Sequence, residues 1–118
     1  MKKYIVDFYS TEKGKQPVKD FLLTLEPKMM AKFLRITDLL EENGPQIKMP
    51  YSKYIGKNIF EIRVIQNNNI VRVLYFFAND RKIILTNGFV KKNQKTPTSE
   101  MKKALQYKND YERRNKNE

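Results

Sequence analysis

The sequence predicts an α+β fold, an antiparallel sheet with helices packed on one face. Three observations carry that expectation. From Phe60 to Pro97 the chain reads FEIRVIQ, NNN, IVRVLYFF, a turn at Asn79-Asp80, then KIILTNGFVKKNQKTP. These three apolar, β-branched and aromatic runs, separated by short Asn/Asp turns, are the pattern of an antiparallel meander. Two stretches with apolar residues at helical spacing precede the meander, and a third follows it. The expected order is β, α, α, three or four strands, then α.

Each element has a local reason. Residues 2–9 (KKYIVDFY) mix β-branched and aromatic side chains and read as a first strand. Pro17 suits the first position of a helix, where its missing donor is not needed, and Val18, Phe21, Leu22 and Leu25 mark the apolar face. Pro27 restarts a second helix with a stripe of Met30, Phe33, Leu34, Thr37 and Leu40. Asn43-Gly44-Pro45 ends it, a left-handed cap followed by a residue that cannot continue the helix. The loop that follows presents Lys48, Lys53 and Lys57 among Tyr51 and Tyr54, with a brief strand at Tyr54-Ile55. Thr96-Pro97 reads as an N-cap and first-turn proline before a helix whose face carries Met101, Ala104, Leu105, Lys108 and Tyr111. Residues 1–118 are expected to form one domain, with 109–118 fraying at the end.

The meander also aims charges. If the first hairpin turns through an even number of residues at Asn67-Asn68, Phe60, Ile62 and Val64 share an apolar face with Val71, Val73, Tyr75 and Phe77. Glu61, Arg63 and Arg72 then occupy the other face, with the two arginines nearly opposite. Like charges opposed across a sheet cost a few tenths of a kcal/mol. A bound anion between them would offset that cost, so the pattern points to a phosphate-binding face extended by Lys91, Lys92 and Lys95.

Composition narrows the chemistry. The chain has 118 residues with no Cys and no His, which removes thiolate nucleophiles, disulfides, imidazole bases and the commonest metal ligands. Four isolated glycines make no phosphate cradle, and scattered acidic residues suggest no metal site and no cofactor. The absence of a long apolar run or a signal-like N-terminus leads to the expectation of a cytoplasmic protein with no membrane partner. The net charge is +11, and it is uneven. Residues 1–80 hold 13 basic and 9 acidic side chains, residues 81–118 hold 11 and 4. Such an excess suits a polyanion, nucleic acid first.

Arg, Lys, Glu and Tyr are sufficient for metal-independent RNA cleavage. The 2′-hydroxyl attacks the adjacent phosphorus, and the protein must align it, stabilise the phosphorane charge and manage a proton at each end. Arg63 and Arg72 suit the charge because a guanidinium binds two phosphoryl oxygens. For the proton, Glu61, a lysine with lowered pKa and a tyrosine all remain open.

The run NGFVKKNQKTPTSEMKKALQYKNDY, with FEIRVIQ and VRVLYFF, resembles the HigB-like, phage-derived branch of the RelE/ParE toxin superfamily. A strand ending in Gly-Phe, a Lys-Lys, a Gln-Lys-Thr-Pro and a Glu-containing helix follow one another there. The resemblance implies a RelE-like fold and a type II toxin, a ribosome-dependent mRNA endoribonuclease acting in the decoding site and neutralised by a helix-turn-helix antitoxin. It implies that Arg72 binds the scissile phosphate and that Arg63, Lys91 and Lys92 supply further charge near it. Lys53, Lys57, Phe89 and Lys95 are the other candidate RNA contacts. Glu61 departs from relatives with Lys at that strand position, and the lack of His is a second departure. Two other readings stay open: a non-catalytic nucleic-acid-binding regulator, and a ParE-like toxin that acts on gyrase.

Overall fold

The computed structural model describes residues 2–91 and 95–116, and of Lys91 the backbone alone. Along the described chain run β1 (Ile5–Phe8), α1 (Pro17–Leu22), α2 (Pro27–Asn43), a single 3-10 turn (Gly44–Gln46), β2 (Ser52–Gly56), β3 (Ile59–Gln66), β4 (Asn69–Ala78), β5 (Lys82–Lys91) and α3 (Thr98–Arg114). Pro17 and Pro27 open their helices as the sequence predicts. Gly44 closes α2 at φ 56°, its amide donating to the Leu40 carbonyl. A Cβ there would lie 2.2 Å from the Tyr4 ring, so both the backbone and the packing demand glycine.

The sheet order is β1-β5-β4-β3-β2. The β2–β3, β3–β4 and β4–β5 pairs are antiparallel, whereas β1 joins β5 in parallel, Val6 beside Ile83 and Phe8 beside Leu85. The expected antiparallel sheet is present from β2 to β5, and β1 adds to it in parallel, a direction that apolar patterning, which reports a strand's faces, does not specify.

The helices lie on both faces of the sheet, not on one. Val18 and Leu22 of α1, with Met29, Phe33, Ile36 and Leu40 of α2, cover Ile62, Val64, Val71, Val73, Tyr75, Ile83 and Leu85. On the reverse face α3 brings Ala104, flanked by Met101, Leu105, Tyr107 and Tyr111, against Ile59, Leu74, Phe76 and Ile84. The apolar run of β4 from Val73 to Ala78 is the reason. Valine, leucine and aromatics at successive positions there leave no polar face, and all of Val71 to Phe76, Arg72 included, is buried.

The C-terminal segment is built into the fold as far as Arg114. Residues 109–114 continue α3 and are tied to the end of β1. The Tyr9 phenol donates to Asp110 and its ring stacks on Tyr107 at 4.6 Å. Arg114 donates to Asp110 and to the Ser10 carbonyl. Burial, then the hydrogen bond to Asp110, pushes the Tyr9 phenol up to about 12. The Tyr9 hydroxyl, with the Arg114 and Arg113 guanidiniums, holds the Asp110 carboxyl below its usual value. The signs fix two pH windows. Unfolded tyrosine ionises near pH 10, so the tether's stabilisation is present below that and fades as pH climbs toward 12. Asp110 contributes above its unfolded value of 3.8 and loses its contribution as pH falls below it. In thermal melts across pH, Tyr9→Phe should flatten the alkaline limb and Asp110→Asn the acid limb.

Candidate active cleft

The β3–β4 hairpin sets the geometry. Its two-residue turn leaves Gln66 opposite Asn69 and pairs Phe60 with Tyr75, Ile62 with Val73 and Val64 with Val71 on one face. Asn67 takes the left-handed conformation at φ 56°, which asparagine tolerates. On the other face Arg63 and Arg72 are register partners, as the alternation predicts.

A carboxylate answers those like charges. Arg72 donates from Nη1 to Glu61 Oε1 at 2.9 Å, and Arg63 Nε lies 3.7 Å from the same oxygen. Thr96 donates to Glu61 Oε2 at 2.8 Å. Glu61 is 0% exposed and Arg72 2%, so both charges are out of water and depend on each other. That face of the sheet is covered here: α3, with Lys95 and Thr96 ahead of it, roofs this part of the sheet, and Glu61 stands between the arginines.

Above the pair opens a cleft of about 370 Å³. Lys53 and Lys95 line it with exposed cations, Glu61 and Arg72 form its floor, Thr96 and Thr98 add hydroxyls, and Ile55 and Met101 are its apolar wall. Three cations face one carboxylate, which favours an anionic occupant. The first turn of α3 borders the cleft, and its N-cap Pro97 has no side-chain oxygen to satisfy the first amides. Helix-start amides of that kind attract anions.

Two irregularities place these groups. A bulge where β2 pairs with β3 leaves Ile55 between Tyr54, opposite Phe60, and Gly56, opposite Ile59. A second bulge at Thr86 separates Leu85, opposite Tyr75, from Asn87, opposite Leu74. One extra residue reverses the facing of all that follow. Phe89 becomes the register partner of Arg72, while Gly88 turns to the opposite face beneath Phe21. A Cβ on Gly88 would meet that ring at 2.5 Å. Asn87 donates to the Glu100 carbonyl and carboxylate at 3.1 and 3.0 Å, fastening the start of α3 beside the cleft.

The candidate residues are divided by the fold. Lys53, Glu61, Arg72 and Lys95 converge on the cleft. Phe89 is half-buried beside Arg72 and packs against the α3-side core. Arg63 touches Glu61 but lines a separate groove on the outer edge of β3. Lys57 sits in the β2–β3 turn at φ 52°, apart from the cleft lining. Lys91 has Ile70 as its register partner, and its side chain, like all of Lys92, lies outside the described residues. Tyr54 leans on Phe60 at 5.0 Å and Tyr51 borders the β3 edge groove, so neither ring lines the cleft. Thr96 is not the N-cap of α3 but a ligand of Glu61. Neither that role nor the Asn87 fastening is visible in the sequence beyond the polar pair Thr86-Asn87 inside an apolar strand.

Sequence and fold together place the chain in a phage-derived protein family with a RelE-like fold. The profile of the family described as "Phage derived protein Gp49-like (DUF891)" matches residues 20–109, and the chain belongs to that family. The crystal structure of the archaeal RelE–RelB complex from Pyrococcus horikoshii OT3 is similar in fold, with a TM-score of 0.50 at 18% identity, covering 78% of this chain and 98% of that one. No curated protein sequence matches the chain. Among the described residues no helix is long and apolar enough to cross a membrane.

Proposed function

We propose that this protein is the toxin of a type II toxin–antitoxin pair, a cytoplasmic endoribonuclease that cuts mRNA in the decoding site of the ribosome. The observation that carries the reading is the buried Arg72–Glu61 pair at the floor of a lysine-lined cleft. The Gp49-like family and the RelE-like fold support the toxin class, and the RelE–RelB complex supports an antitoxin partner, for which a helix-turn-helix protein is the proposal. Lys53 and Lys95 meet the RNA backbone, with Lys91 and Lys92 extending the contact and Phe89 offering a ring edge to a base. Arg72 stabilises the charge that develops on phosphorus as the 2′-hydroxyl attacks. Glu61 has Arg72 on one oxygen and Thr96 on the other, which suits it to fix the guanidinium rather than to shuttle a proton. Arg63 and Lys57 stand farther out and act through the general field.

Induced expression in growing cells tests this against the gyrase reading. The expected result is growth arrest with mRNA fragmented inside coding regions and intact chromosomal DNA. Arrest with broken DNA and intact mRNA would instead assign the protein to gyrase.

A further inference from the structure

A second concavity lies on the far side of Arg63. It is a groove of about 580 Å³ along the outer edge of β3, walled by α2 and by the Pro50-Tyr51 segment. Its geometry follows from a mismatch in strand lengths. β2 ends its pairing at Ser52, opposite Ile62, and the next bond on that side is Arg63 amide to Tyr51 carbonyl at 3.0 Å. Outward-pointing backbone groups recur every second residue, so those of Ile65 face the same way with no neighbouring strand. The Ile65 carbonyl takes the Lys32 ammonium at 3.0 Å in place of a strand partner. Ile65 itself is 51% exposed and Tyr51 43%, an apolar rim at an open sheet edge. Lys32, Arg35 and Arg63 supply the charges of the groove, and among the described residues no acidic side chain lines it.

Open strand edges pair with added strands unless charge or cover prevents it. Here the lysine that blunts the edge is flexible and solvent-exposed, so an incoming carboxylate can draw it off the carbonyl. We infer that this groove docks an extended segment of a partner protein, in which apolar residues alternate with acidic ones, by adding a strand to the free edge of β3. Alternation turns apolar side chains toward Ile36, Leu39 and Val64 on the α2 side and carboxylates toward Arg63 on the other side, with Lys32 and Arg35 adding positive field at the edge. A second copy of this chain is disfavoured as the occupant, since it carries +11 itself. The inference does not depend on RNA cleavage, because the groove and the cleft share no lining residue.

The probe is a random peptide display library panned on the whole chain. Enriched peptides should alternate apolar and acidic residues, and the best of them, synthesised, should slow hydrogen exchange at the Ile65 amide. Affinity should fall roughly tenfold or more for Ile65→Pro, which removes the outward donor, and likewise for K32E/R35E. Urea midpoints near wild type for these variants assign the loss to the groove. As a check independent of their folding, exchanging the peptide's acidic residues for lysine should abolish binding to the wild-type protein. The inference is overturned if no peptides are enriched, if enriched peptides are basic, or if binding survives the lysine exchange. It is also overturned if single-stranded RNA, rather than peptide, protects the Ile65 amide.

Discussion

Replacing Glu61 with leucine is expected to cost about 3–5 kcal/mol of folding stability, the usual penalty for stranding one member of a buried ion pair. Glu61 is fully buried, holds Arg72 at 2.9 Å, faces Arg63 at 3.7 Å and receives the Thr96 hydroxyl. Its loss removes the carboxylate that stands between two guanidiniums opposed across the β3–β4 pair. Urea denaturation measures the effect. Glu61→Leu combined with Arg72→Met should recover most of the loss, since apolar replacement of a whole buried pair is often neutral. If the single variant melts like the wild type, Glu61 does not hold the arginines. If the double variant is no better than the single, the penalty belongs to lost packing and not to a stranded charge.

Charge reversal at the cleft mouth should have the second large effect, on RNA and not on the fold. Lys53 and Lys95 are exposed, and neither has an ion-pair partner among the described residues. K53E/K95E should keep its urea midpoint and lose on the order of 100-fold in affinity for single-stranded RNA. The milder K53A/K95A should lower the slope of log affinity against log salt by roughly 0.7 for each phosphate contact removed. Unchanged affinity and slope in both would move the RNA site away from this cleft.

Much of the fold was legible because two signals agreed. The Asn67-Asn68 turn and the period-two pattern together specify the β3–β4 register, including Arg63 opposite Arg72. The helix starts at Pro17 and Pro27 and the stop at Gly44 follow from backbone constraints that do not depend on context. The site was less legible, for identifiable reasons. Alternation showed Glu61 and the arginines on one face but not whether that face would be covered. Helical spacing in α3 could not say which side of the sheet it would choose, although the two-sided apolar run of β4 contained the answer. A period of two also assumes no bulge. The extra residue at Thr86 is what places Phe89 beside Arg72, and its only trace in the sequence is Thr-Asn-Gly inside an apolar strand. Thr96 looked like a helix cap because Thr-Pro suits one, and tertiary contact with Glu61 overrode that local preference.

The central claim is that Arg72, held by Glu61 at the floor of the cleft, serves RNA cleavage on the ribosome. The most direct measurement is primer extension on a defined mRNA with purified protein, with and without translating ribosomes, alongside Arg72→Ala checked for folding by circular dichroism. The account predicts cuts within codons that require ribosomes and disappear with a folded Arg72→Ala protein. Intact mRNA from folded wild-type protein, where a control toxin cuts, would contradict it, as would cuts that persist undiminished without Arg72.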